Sequence, residues 1–140
     1  MKHAPSPHAF TIPVRVYYED TDAAGVVYYA NYLRYFERCR TEWMRSLGHG
    51  QADFNREEGL AFVVRRVAVD YLKPARLDDA LTVGLEVEKL GRAQVVVRQF
   101  VLRDGEELVT GSVQIACVDL KKMKSAAIPD YLLAKLETLQ

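Results

Sequence analysis

Cysteine is scarce in this chain of 140 residues, which has only Cys39 and Cys117. Each sits within an apolar pattern, so both read as reduced core thiols, and nothing suggests a disulfide framework or a cysteine metal cage. A surplus of charge is missing too: Lys+Arg and Asp+Glu are both 19 and the formal net charge is +0. A chain committed to nucleic acid or to an anionic membrane would carry a basic excess. Histidine is limited to His3, His8 and His49. These lack the spacing of a metal site or a Ser-His-Asp triad, so no metal or cofactor is expected. No apolar run approaches the roughly 18–20 residues that span a bilayer. Met1–His8 lacks the apolar stretch of a signal peptide, and no glycine-rich phosphate loop precedes a helix. The expectation is a cytoplasmic protein without stable membrane insertion, with a flexible tail over 1–10 and a single domain over 11–140.

What is present is ordinary globular material, 49% hydrophobic and 27% charged, in a chain long enough for a real core. Ile12, Val14, Val16 and Tyr18 alternate with polar neighbours, which predicts a half-buried strand over 12–19. From Tyr28 to Leu47 the period changes. Tyr32, Phe36, Cys39, Trp43 and Leu47 share one stripe of an amphipathic helix of about five turns, and Gly48 stops it. A short helix over Gln51–Glu58 follows. Four strands are then expected, over 60–72, 80–89, 93–103 and 107–119. Leu90-Gly91-Arg92 and Arg103-Asp104-Gly105-Glu106 supply hairpin chemistry. Pro129 opens a terminal helix from Asp130 to Leu139. The order predicts an α+β fold in which an antiparallel sheet of about five strands is covered by one long helix.

Chemistry is concentrated between the first strand and the long helix, in Tyr17-Tyr18-Glu19-Asp20-Thr21-Asp22-Ala23-Ala24-Gly25-Val26-Val27-Tyr28-Tyr29-Ala30-Asn31-Tyr32. A carboxylate here would lie beside a helix N-terminus, where backbone N–H groups are unpaired and the dipole is positive. Those are the parts needed to attack a carbonyl and stabilise an oxyanion. Asp22 has an ordinary alternative role as a turn or helix-capping carboxylate. Asp20, two residues earlier, reads as a brace for the loop. Gly25 reads as a positive-φ position or as room for a substrate carbonyl.

This stretch resembles the motif of hotdog-fold acyl-CoA thioesterases, most nearly the Tol–Pal-associated branch and 4-hydroxybenzoyl-CoA thioesterase. Tyr35–Glu42, Phe62–Arg66 and Pro74–Asp79 add to the likeness, which covers roughly 11–120. The resemblance implies a hotdog fold and hydrolysis of an acyl-CoA to free acid and CoA, with coenzyme A as part of the substrate. It places the catalytic carboxylate at Asp22, as nucleophile or general base, and the oxyanion donor at the backbone N–H of Tyr29. The Tol–Pal branch usually has histidine at the Tyr29 position, whereas 4-hydroxybenzoyl-CoA thioesterase has tyrosine. That tilts the expected substrate toward aromatic or other bulky acyl groups.

Gly25, Val26, Val27 and Tyr28 are then candidates for substrate contact, while Tyr32 and Tyr35 read as core. Glu37 reads as structural rather than substrate-facing. Lys121 and Lys122, with Lys89 and Arg92 beside a hairpin turn, are candidates for the CoA phosphates, although such runs are usually solvated surface. Family members form dimers or tetramers. Val95, Val96 and Val97 put apolar side chains on both faces of one strand, so the second sheet face is expected to be covered by another copy. An acyl-carrier protein is a further candidate partner. The rival reading is a non-catalytic hotdog module that binds acyl-CoA or an acyl carrier.

Overall fold

The computed structural model describes residues 7–48 and 50–140. His3, His49 and the first six residues of the expected tail lie outside the described residues. The elements are β1 (Phe10–Arg15), a 3-10 turn (Tyr18–Asp20), α1 (Asn31–Ser46), α2 (Gln51–Glu58), β2 (Leu60–Tyr71), β3 (Ala80–Leu90), β4 (Gln94–Arg103), β5 (Glu106–Asp119), β6 (Lys124–Ser125) and α3 (Asp130–Glu137). The strands form one antiparallel sheet in the order β1-β3-β4-β5-β2, with the short β6 added to β5.

The helix lies against the face that carries Val83, Leu85, Val95, Val97, Val113 and Cys117, and contributes Tyr32, Tyr35, Phe36, Cys39, Trp43 and Met44 to the core. Phe36 reaches the sheet where Gly111 leaves space: a Cβ there would sit 2.9 Å from the Phe36 ring. One long helix wrapped by an antiparallel sheet is the hotdog arrangement.

Most boundaries fall within a residue or two of expectation and the short strand β6 is additional, but two differ by more. The first strand ends at Arg15, not residue 19. Arg15 pairs with Ala80, the first residue of β3, and beyond it there is no strand to pair with. The Val16 N–H goes instead to Asp79 O at 3.0 Å, and the chain turns at Tyr18–Asp20. The helix starts at Asn31, not Tyr28: Val27 and Tyr28 are tied through their N–H groups to Ala75 O (2.8 Å) and Asp20 O (2.9 Å), and the N–H groups of Asn31, Tyr32 and Leu33 make turn bonds three residues back, to Tyr28, Tyr29 and Ala30.

The outer sheet face carries both apolar and charged side chains. Val95 and Val97 face α1, and Val96 on the other parity is half-buried. Arg98 pairs there with Glu86 at 3.7 Å and with Glu107, over the buried ring of Phe100. Arg98 and its two carboxylate partners thus lie over Phe100 on this second face. Along the edge strand β2, Val63, Val64, Val67 and Tyr71 are exposed.

Candidate active site

The segment before α1 folds into a small hairpin. Thr21 bridges Val27, the Asp22 N–H donates to Val26 O at 2.9 Å, and the Gly25 N–H donates to Asp22 O at 3.0 Å. Gly25 has φ +79 and open space where a Cβ would stand. Its role within the chain is therefore conformational, since L side chains are disfavoured there. The Asp22 carboxylate is solvent-exposed. One oxygen accepts from the Ala24 N–H at 2.9 Å, which fixes the side chain as a turn cap. No side chain caps the start of α1 at Ala30, so Asp22 is not a helix cap. Holding one oxygen orients the carboxylate while the second stays open to solvent.

Asp20 ties the hairpin to its surroundings. Its carboxylate accepts from the Tyr17 N–H at 2.8 Å, and its carbonyl accepts from the Tyr28 N–H and the Asn31 side-chain amide, both at 2.9 Å. The buried Tyr35 hydroxyl faces this carboxylate without a hydrogen bond of good geometry. Burial, reinforced by Asp20, pushes the Tyr35 phenol well above the ordinary tyrosine value.

Tyr29 stands at the turn that leads into α1. Among the described residues its N–H has no acceptor, while its carbonyl accepts from the Tyr32 N–H at 3.4 Å and from the Tyr71 hydroxyl at 3.3 Å. Its ring is exposed and packs against Tyr28 and, edge-on, Tyr71, with centroids 4.9 and 6.1 Å away. A cavity of about 220 Å³ adjoins it, lined by Val27, Tyr32, Tyr71, Lys73 and Pro74. Below lies the 74–79 turn. The buried Tyr32 hydroxyl accepts from the Ala75 N–H at 3.0 Å, and Arg103 donates to Pro74 O at 3.3 Å and to the Asp79 carboxylate at 2.8 Å. Sequence reasoning missed Tyr71 and Lys73. Their one signal was proximity to the Pro74–Asp79 block.

The fold therefore brings Asp22, Gly25, Val26, Val27, Tyr28 and Tyr29 together. Val27 is core, and Tyr28 is exposed. It does not bring the four basic candidates to them. Tyr71 pairs with Val109 and Arg15 with Ala80 at the hairpin end of the sheet, whereas Leu60 pairs with Asp119 and Lys89 with Val96 at the other. The backbone N–H groups of Lys121 and Lys122 close onto Asp119 there, and Arg92 O accepts from Ile128. Strands of this length separate the two ends by roughly 30 Å. Among the described residues no cluster of three His, Cys, Asp or Glu could hold a metal ion.

A second cavity, of about 280 Å³, lies farther along α1, between Glu37, Arg40 and Met44 and the strand residues Phe62, Val64 and Ile115. Glu37 is exposed and accepts from the Thr41 hydroxyl at 3.3 Å, so it is not a buried acid.

Residues 16–136 match the model of a family described as the thioesterase-like superfamily. The chain belongs to that superfamily. Its class of chemistry is thioester hydrolysis. The matched range runs from the residue after β1 into α3 and takes in the hairpin, α1, the Tyr29 turn and strands β2 to β6. The acyl-CoA thioesterase YbgC of Haemophilus influenzae is 47% identical over 133 residues, covering 95% of this chain and 98% of the relative. The acyl-CoA thioester hydrolase YbgC of Escherichia coli is 43% identical over 129 residues, covering 91% and 96%. The crystal structure of a probable thioesterase from Bartonella henselae superposes with a TM-score of 0.81 at 34% identity, covering 86% of this chain and 99% of that one.

Proposed function

We propose that this thioesterase-like chain hydrolyses acyl-CoA thioesters to free acid and CoA, in the cytoplasm, with Asp22 as the essential carboxylate and the Tyr29 N–H as oxyanion donor. The observation that carries the reading is the joint presentation, on one braced hairpin, of an exposed oriented carboxylate and an unpaired N–H at a helix start. An ionised carboxylate can attack the thioester to give a mixed anhydride, or take a proton from an attacking water. A donor already aimed at the developing oxyanion needs no reorganisation during the reaction.

The site is completed by a second copy. An edge strand leaves a row of N–H and C=O groups unpaired, and the apolar side chains of β2 make that edge adhesive. Antiparallel pairing of β2 with itself sets the Leu60 end of one chain beside the Tyr71 end of the other. The Phe62–Val64 cavity then opens toward the other copy's hairpin and takes the acyl group. Lys121 and Lys122, with Lys89 and Arg92, come to the same end and can meet the CoA phosphates. Tyrosine at position 29 and a cavity of this size favour an aromatic or medium-length acyl group.

A thiol-release screen over short aliphatic, long aliphatic and aromatic acyl-CoA esters tests the proposal. Binding without any thiol release would identify a non-catalytic acyl-CoA or acyl-carrier module instead.

A further inference from the structure

Arg40 is a cation with no ion-pair partner among the described residues, set in a mostly apolar wall that also carries Glu37 and Thr41. It lies on the third turn of α1 and lines the cavity of about 280 Å³, whose other walls include Trp43, Met44, Phe62, Val64 and Ile115. Its Nη1 donates to Gln99 Oε1 at 2.9 Å. Gln99 is fully buried, and its Nε2 donates to Phe36 O at 3.1 Å, so the amide is locked with its oxygen toward Arg40. Among the described residues no carboxylate lies within ion-pair distance of Arg40.

A guanidinium has five N–H donors, and this one has a single described partner. The residue lines the cavity, and none of its nitrogens is both sealed from solvent and unbonded, so its unused donors keep access to solvent or to a ligand. Burial lowers the Arg40 pKa from its ordinary value, which Glu37 partly offsets from a distance. A half-buried charge with spare donors is costly until something accepts from it. Glu37 at the same mouth makes the pair formally neutral, so the acceptor can be neutral or anionic. An apolar cavity of about 150 Å³ takes benzene. At about 280 Å³ this one has the volume for a ring or a medium chain with one polar group at its end.

We propose that Arg40 is a specificity residue, selecting acyl groups whose far end carries a hydrogen-bond-accepting oxygen. The inference rests on the acyl-CoA hydrolase reading and names the acyl class within it. The test uses CoA thioesters of one chain length ending in methyl, hydroxyl or carboxylate, with kcat/KM measured on the full-length protein. Hydrogen bonds to a charged donor predict that wild type prefers the oxygen-ended substrates by about tenfold or more. Arg40→Met should pull that ratio toward one, and Arg40→Lys should keep part of it. Equal or better use of the methyl-ended thioester by wild type overturns the proposal and needs no variant to fold. Calorimetry with Asp22→Asn protein reads the same ranking without turnover. Ranked binding with no thiol release in wild type would keep Arg40 and sink hydrolysis. Turnover without ranking would do the reverse, and absence of binding by all three would remove both.

Discussion

The Tyr71 hydroxyl donates to the Tyr29 carbonyl oxygen at 3.3 Å, joining the end of an edge strand to the turn that opens α1. The bond holds the carbonyl of Tyr29, while its N–H has no acceptor among the described residues. Tyr71→Phe removes one neutral hydrogen bond. Turnover should fall by about twofold to tenfold with KM little changed, the range such a bond supplies. Tyr29→Phe should keep most activity, because the donor is the backbone. A loss in Tyr29→Phe as large as that in Asp22→Asn would assign the phenol to the chemistry.

Asp22→Asn keeps the oxygen that accepts from Ala24 and removes the charge. Turnover should fall by at least about a hundredfold while the far-ultraviolet spectrum and melting temperature stay near wild type. Asp20→Asn should show the opposite balance, because the Asp20 carboxylate accepts the Tyr17 N–H and braces the loop. Near-normal thiol release by folded Asp22→Asn protein would mean that another group does the chemistry.

Pairing through β2 makes the assembly sensitive to charge on its exposed edge. Val64 is 49% exposed in the single chain. Val64→Lys should shift the mass seen by light scattering toward the 15.9 kDa of one chain and lower turnover with it. A wild-type protein that is monomeric at micromolar concentration and fully active would overturn the shared site.

Acid stability should report on the turn beneath the hairpin. Burial by itself would raise the Asp79 carboxyl, but the Arg76 N–H and the Arg103 guanidinium outweigh it and hold the group below its usual value. A folded-state value below the unfolded one stabilises the fold above about pH 4, and that contribution is lost as pH falls through the folded value. Asp79→Asn should therefore melt below wild type at neutral pH, with the gap closing in acid. A gap that stays constant down to pH values below about 3 would show that the ion pair is not its source.

Burial pushes the Cys39 thiol up to about 12 and the Cys117 thiol up to about 11. Both stay protonated and sealed at neutral pH. A chromogenic thiol reagent should label neither until guanidinium unfolds the chain, which also leaves the CoA release assay with little background. Labelling of the native protein at the rate of a free thiol would contradict the packing around them.

Much of the fold is legible in the residues themselves. The alternation through β1, the apolar runs bounded by turn residues that become β2 to β5, and the change of period over α1 are reported directly by side-chain type. The Asp-x-x-Gly hairpin is legible for a similar reason, since Asp22 and Gly25 are the residue types that a tight turn needs. The end of β1 is not legible, because Val16 and Tyr18 continue the alternation after the partner strand has stopped at Ala80. The start of α1 is hidden as well, because the bonds that tie Val27 and Tyr28 to Ala75 and Asp20 join residues that no local pattern links.

By itself, then, the sequence determined the elements, their order and the carboxylate hairpin, all of which depend on neighbours a few positions apart. Only the tertiary structure decided that Tyr71 holds Tyr29 across 42 positions and that Gln99 holds Arg40 across 59. It also decided that the four basic candidates stand at the opposite end of the sheet from Asp22, and that Val63, Val64, Val67 and Tyr71 are exposed along the β2 edge. The physical reason is that strand register and helix placement set such contacts. Both are fixed by the summed burial of the core, and no local pattern carries them.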